Sequence, residues 1–168
     1  MPKGTAKRTY AAGTDVPVQK TRLEIEALVR ANGAEAFGYV EDGGTARIQF
    51  RLEQSILRFD IVMPSQTEDR FQRVHRGAAG LQRRTPTAAQ AAWERGCREH
   101  WRALLLTIKA KFAAVDAKIV TFEDEFLAHV VMPDGKTVGE SVRPTLAAIR
   151  AGGDPPKLLP DYTGGARG

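Results

Sequence analysis

Between Thr87 and Ala117 the chain carries an unbroken helical pattern with two stripes. One is apolar, through Trp93, Cys97, Trp101, Leu104, Leu105, Ile108, Phe112 and Val115; the other is basic, through Arg95, Arg98, Arg102 and Lys109. At about 100° per residue the two sets centre roughly 110° apart, so one helix buries the first and presents the second to solvent. A helix of this length forms the spine of a core, and the rest of the chain has to supply an apolar surface to cover it.

That surface is expected from a meander. The segments AEAFGYVED, TARIQFRL and ILRFDIVM alternate apolar and polar residues, and Asp42, Gly43 and Gly44 give a turn signal between the first two. Ala46, Ile48, Phe50 and Leu52 fall on one face of the second strand, and Leu57, Phe59 and Ile61 on one face of the third. The opposite, solvent face is expected to carry Arg47, Arg51 and Arg58. Upstream, TRLEIEALVRANG reads as a short helix, with Thr21 and Glu24 at capping-box spacing, Ile25, Leu28 and Val29 as its apolar face, and Gly33 as its stop.

Pro64 closes the meander and begins a basic stretch, residues 64–87, without a clean period. Arg70, Arg73, Arg76, Arg83 and Arg84 stand there against Glu68 and Asp69, with Phe71, Val74 and Leu81 interleaved. It is expected to be a loop too long for a simple connection, with Pro86 blocking helix upstream and Thr87 as N-cap of the long helix. Beyond Ala117, Thr121 is an N-cap for the acidic turn Glu123, Asp124, Glu125, and Pro133, Asp134 and Gly135 form a turn between two short extended pieces. A last helix is expected over about Ser141 to Arg150, with Pro144 in its first turn.

The fold class predicted is α+β: a three-stranded antiparallel meander packed against the long helix and a short N-terminal helix, with a small helical C-terminal cap. Residues 1–15, with Lys3, Lys7 and Arg8, read as a mobile arm, 16–150 as one domain, and 151–168 as a Pro/Gly-rich tail in which Leu158, Leu159 and Tyr162 are available for packing. A chain of 168 residues that is 42% hydrophobic is long enough for one core. Its net charge of +5 favours anionic partners. The lone cysteine, Cys97, has no internal disulfide partner and lies on the apolar stripe, as expected for a buried thiol in a reducing compartment. No secretory signal or membrane span is legible, so the expected location is the cytoplasm, that of a host cell under the resemblance described next.

Three strings, VPVQKTRLEIEALVRANGA from Val16, WRALLLTIKAKFAAV from Trp101 and TFEDEFLAHVVMPDGKTVGE from Thr121, together resemble a small protein type encoded by tailed phages and prophages. The resemblance covers about residues 16–150 apart from the basic loop. That family has no assigned activity, so the resemblance implies a phage setting and supplies no catalytic residues. In outline, helix, meander and helix are also similar to double-stranded-RNA-binding domains, and a meander followed by a long helix is similar to the core of strand-annealing recombination proteins. The chain departs from the first by its long arginine loop and by lacking a lysine-rich start to the second main helix; no string matches the second. Both are likenesses of topology, and fold does not fix function.

The residues that carry chemistry are chiefly cations. Phosphate binding needs several Arg or Lys groups on one surface, and arginine suits bidentate contact. The candidate set is Arg70, Arg73, Arg76, Arg83, Arg84, Arg95, Arg98, Arg102 and Lys109, with Arg47 and Arg51 from the sheet. Phe37 and Tyr39, if they share a face with Arg47 and Arg51, would form a platform for unpaired bases. A second constellation, Glu123, Asp124, Glu125, His129 and Asp134, has Glu125 and His129 at i and i+4, a spacing able to bring a carboxylate and an imidazole to one divalent ion, though it matches no specific metal signature. His75 and His100 pair with no Ser or Cys by spacing, and Gly43, Gly44, Gly77 and Gly80 lack the strand-to-helix context of nucleotide-binding loops.

These residues predict a non-enzymatic nucleic-acid-binding accessory protein of phage DNA metabolism, acting in replication, recombination or genome protection, with single- or double-stranded DNA as partner and no metal or other cofactor. The alternative is a protein-interaction module, either a phage factor that binds a host defence protein or a self-assembling subunit. An enzymatic reading rests on Glu125, His129 and Asp134 alone.

Overall fold

The computed structural model describes residues 15–152. Lys3, Lys7, Arg8, Leu158, Leu159 and Tyr162 lie outside the described residues. The alternating segments form one antiparallel sheet in the order β1 (Ala36–Asp42), β2 (Thr45–Leu52), β3 (Ser55–Val62). Gly43 and Gly44, at φ 53° and 86°, make the two-residue turn that a twisted hairpin prefers. One face of the sheet is apolar, and across it lie α1 (Val18–Ala31) and α3 (Pro86–Asp116), giving the α+β architecture expected.

The core between these layers joins Ile48, Phe50, Leu57 and Phe59 of the sheet to Ile25 and Val29 of α1 and to Trp101, Leu105, Ile108 and Phe112 of α3. Each such side chain, moved from water into the interior, contributes about 1.5–3 kcal/mol. Trp101 is fully buried, whereas Trp93 is only half-buried and donates its indole N–H to the Pro64 carbonyl at 2.7 Å. Trp93 therefore anchors the exit of the meander and stands outside the core over which it was expected.

Several boundaries differ from expectation for identifiable reasons. Helix α1 begins at Val18 and Thr21 is not its cap; Thr21 is buried on the same face as Ile25 and Val29. Its other end is as predicted, with the Gly33 N–H bonded to the Arg30 carbonyl and the Ala34 N–H to that of Val29, the Schellman pattern around a glycine at φ 95°. Helix α3 is capped by Thr85, whose Oγ1 accepts from the Ala88 N–H at 3.3 Å, and Pro86 is its first residue, where a missing N–H costs nothing.

The stretch expected as a loop is ordered into α2 (Asp69–Gln72) and a small hairpin of β4 (Arg73–His75) and β5 (Leu81–Arg83). Thr121 does cap α4 (Phe122–Phe126), by accepting from the Asp124 N–H at 3.1 Å, and a 3₁₀ turn over Leu127–His129 continues it. The predicted extended pieces meet as a bridge between Val131 and Thr137, and Val130 bridges to Leu57 on the free edge of β3. Helix α5 (Val138–Gly152) starts a turn earlier than expected and leaves Pro144 inside it. Its start is a reciprocal cap: Thr137 Oγ1 accepts from the Glu140 N–H at 3.1 Å, and Glu140 Oε2 accepts from the Thr137 N–H at 2.7 Å. No helix among the described residues is long and apolar enough to cross a membrane.

The edge strand explains one further correction. Arg58, expected on the solvent face, is buried beneath the 130–140 segment, where it donates to the Gly135 carbonyl at 2.7 Å and pairs with Glu140 and, at 3.2 Å, with Asp60.

Candidate nucleic-acid interface

Phe71 places the basic segment. It is buried against Gly96 of α3, where an added Cβ would lie 2.7 Å from the ring. A glycine inside a helix costs about 1 kcal/mol relative to alanine, and here it is what lets α2 lie on α3. The Arg84 N–H donates to the Gln72 carbonyl at 2.8 Å, tying the end of β5 back to the end of α2. Hairpin, α2 and the first turns of α3 thus form one local unit.

Within that unit the arginines converge. Arg70, Arg84 and Arg95 line a cleft of about 420 Å³ with Glu99 on its wall, and Arg83 and Arg84 line an adjoining one of about 530 Å³ with Gln66, Gln72 and Gln90. On the hairpin, Arg73 is directly opposite Arg83. Like charges in register on a two-stranded ribbon repel, and the only carboxylate within ion-pair reach of either, among the described residues, is Asp69 at 3.7 Å from Arg73. Arg76 is exposed at the turn that joins β4 and β5. Arg70 pairs with Glu68 at 2.6 Å and lies over the Phe71 ring. Arg84 is half-buried, and its Nε has no hydrogen-bond partner.

The other candidates are not brought to this face. Arg102 pairs with Glu24 of α1 at 2.5 Å, and Arg98 lines a different cleft, shared with Glu41, Asp42 and Glu94. Lys109 stands on an apolar groove farther along α3, about 21 Å from Arg95 at the rise of an α-helix. Arg47 pairs with Asp60 on the outer sheet face, and Arg51 is exposed at the far end of that strand. The aromatic platform does not form: Phe37 is opposite Phe50 and Tyr39 opposite Ile48, so both point to the helix side of the sheet, away from Arg47 and Arg51. Tyr39 is instead covered by the Arg22 guanidinium at 4.4 Å.

The acidic constellation is dispersed as well. Asp124 belongs to the Thr121 cap, Glu125 pairs with Lys111 at 2.9 Å, and Asp134 accepts from the Lys136 N–H at 3.0 Å. His129 stacks on Phe59, with its Nδ1 3.2 Å from the Arg58 carbonyl. Burial, reinforced by the nearby Lys111 charge, holds this imidazole below its ordinary range and so neutral. Among the described residues no three metal-ligating side chains come together. Burial and the charges of Glu41 and Glu94 push the Cys97 thiol up, which favours its protonated form.

Sequence reasoning missed Gln66, Gln72 and Gln90, which carry no periodic signature, and Gly96, whose place in the middle of a strong helix was a visible signal. No protein-family model, curated protein or solved structure matches this chain.

Proposed function

We propose that this protein is a non-enzymatic nucleic-acid-binding accessory factor of phage DNA metabolism. One observation carries the reading: the hairpin sets Arg73 against Arg83 in register, beside a cleft lined by Arg70, Arg84 and Arg95. An arrangement that raises electrostatic energy in the free protein is relieved when an anion with several charges enters it, and a phosphodiester backbone is such an anion. Cations spread over α2, β4, β5 and α3 can follow a backbone along a path, whereas one small anion would engage only two or three. The phage setting comes from the resemblance of the three strings quoted above. The interface of this reading is Arg70, Arg73, Arg76, Arg83, Arg84 and Arg95; Arg47, Arg51, Arg98, Arg102 and Lys109 lie off it.

Titration with single- and double-stranded oligonucleotides over a salt series tests the proposal. Binding that weakens linearly in log salt, with a preference for one strand state, supports it; no binding to either at low salt overturns it.

A further inference from the structure

The β4–β5 ribbon stands clear of the body to which it is joined. Every residue from Arg73 to Arg83 is exposed except Val74 and Gly80, which are half-buried. A side chain added at Gly77 or Gly80 would meet nothing beyond its chain neighbours within 4 Å. The ribbon is tied at its foot, where β4 continues from α2 and the Arg84 N–H donates to the Gln72 carbonyl. It carries cations at two levels. Arg73 and Arg83 are opposite each other at the foot, and Arg76 is exposed at the tip, about 10 Å farther out at a strand's rise. The rest of the tip is Gly77, Ala78, Ala79 and Gly80, with no bulky side chain, and Leu81 next to it is 54% exposed.

A ribbon of two strands has a definite size. The strands are about 4.8 Å apart, and with its side chains a sheet is about 10 Å thick. The major groove of B-form DNA, about 12 Å wide and 8.5 Å deep, admits such an element, whereas the minor groove, about 6 Å wide, does not. The major groove of A-form RNA is too narrow for it. At that depth the tip reaches base edges, while Arg73 and Arg83 stay at the rim, where the phosphates run. The cleft of Arg70, Arg84 and Arg95 begins where β5 ends and continues the contact along the backbone.

An unpaired strand asks for a different surface, a row of aromatic rings on which successive bases stack. Between residues 64 and 99 the Phe, Tyr and Trp side chains are Phe71, which is buried, and Trp93, which is half-buried and bonded to the Pro64 carbonyl. One imidazole, that of His75, is exposed on the ribbon, and a single small ring makes no row.

We propose that the nucleic acid is B-form duplex DNA and that the ribbon enters its major groove tip first, with Arg76 on guanine O6 and N7 and with Arg73 and Arg83 on the rim phosphates. This rests on the nucleic-acid reading above and narrows it to one substrate class. The arginine fork matches the two acceptors that guanine presents in the major groove, and Leu81 supplies an apolar contact for a thymine methyl.

The test titrates the full chain, at one low salt concentration, with a short DNA duplex of mixed sequence, with its single strands and with the duplex RNA of the same sequence. The DNA duplex is expected to bind at least about tenfold more tightly than the other two. Replacing guanine by 7-deazaguanine removes the N7 acceptor and keeps the base pair, and should weaken wild-type binding by about five- to tenfold. Arg76→Gln should weaken binding to the ordinary duplex by a similar factor, keep the wild-type circular dichroism because the position is exposed, and be indifferent to 7-deazaguanine. Equal or tighter binding of the single strands or the RNA overturns the assignment to duplex DNA and leaves the nucleic-acid reading standing. A wild type insensitive to 7-deazaguanine, or an Arg76→Gln variant that remains sensitive to it, overturns the entry of the tip into the major groove. No binding to any of the three overturns the nucleic-acid reading and this inference with it.

Discussion

Replacing Gly96 by alanine separates packing from propensity at the joint that positions the basic unit. On helix propensity alone Gly96→Ala stabilises α3 by about 1 kcal/mol. The new Cβ, however, would lie 2.7 Å and 2.8 Å from two atoms of the Phe71 ring, where ordinary carbon contacts are about 3.5–4.0 Å. Phe71 is only 5% exposed, so the buried ring has little room to yield the missing distance without moving α2. Overpacking of this kind costs about 1–3 kcal/mol, which offsets or exceeds the propensity gain. The expected net effect is a loss of about 0–2 kcal/mol in urea denaturation, with faster hydrogen exchange over residues 69–83. In a Phe71→Ala background the same substitution should instead stabilise by about 1 kcal/mol, since the obstacle is gone. A full gain of about 1 kcal/mol from Gly96→Ala in the wild-type background would refute the placement of Phe71, and with it the clustering of Arg70, Arg84 and Arg95.

Other outcomes follow from the same contacts. Arg58→Ala should destabilise by about 1–3 kcal/mol in denaturant melts, because it removes a buried side chain that ties the 130–140 segment to β3 through the Gly135 carbonyl and Glu140; no measurable loss would place Arg58 back in solvent. His129 has a folded pKa below its unfolded value, so the unfolded chain binds the extra proton. Its contribution is complete above about pH 6.5 and is lost as pH falls from there toward the folded value. The urea midpoint should drop through that window, and His129→Phe, which keeps the stack on Phe59, should flatten that part of the slope. Cys97 should react with a thiol reagent more slowly in the folded chain than a free thiol does, and labelling should speed up as urea opens the chain; a folded-state rate equal to that in urea would refute its burial.

What was legible in the chain and what was not divides along physical lines. Periodicity carries the sheet and α3, because Ile48, Phe50, Leu105 and Ile108 recur at the period of their own element. The spacing T-x-x-E occurs at Thr21–Glu24 and again at Thr137–Glu140, and only the second is a capping box. Thr21 is in line with Ile25 and Val29 on a buried face, and that burial outweighs the cap. Arg58 reads as solvent-facing from strand alternation, which carries no information about a segment more than 70 residues later that covers the edge of β3. The β4–β5 hairpin escapes notice because only Val74 on it is even half-buried, too little to set an alternation. The helical wheel likewise groups Arg95, Arg98, Arg102 and Lys109 within one sector, but along 31 residues that sector meets different neighbours: Glu24 of α1 takes Arg102 into an ion pair, and Lys109 lies on a groove with Ile61 of β3.

The central claim is that the hairpin and the start of α3 form the nucleic-acid interface, and the salt dependence of oligonucleotide binding tests it most directly. Each phosphate contact contributes about 0.9 to the log–log salt slope on duplex and about 0.7 on a single strand. Arg83→Gln with Arg84→Gln should lower the slope by about 1.4–1.8, while the off-interface control of Arg51→Gln with Lys109→Gln, equal in charge removed, should leave it unchanged. Equal losses from the two pairs, or no change of slope from the first, would contradict the account.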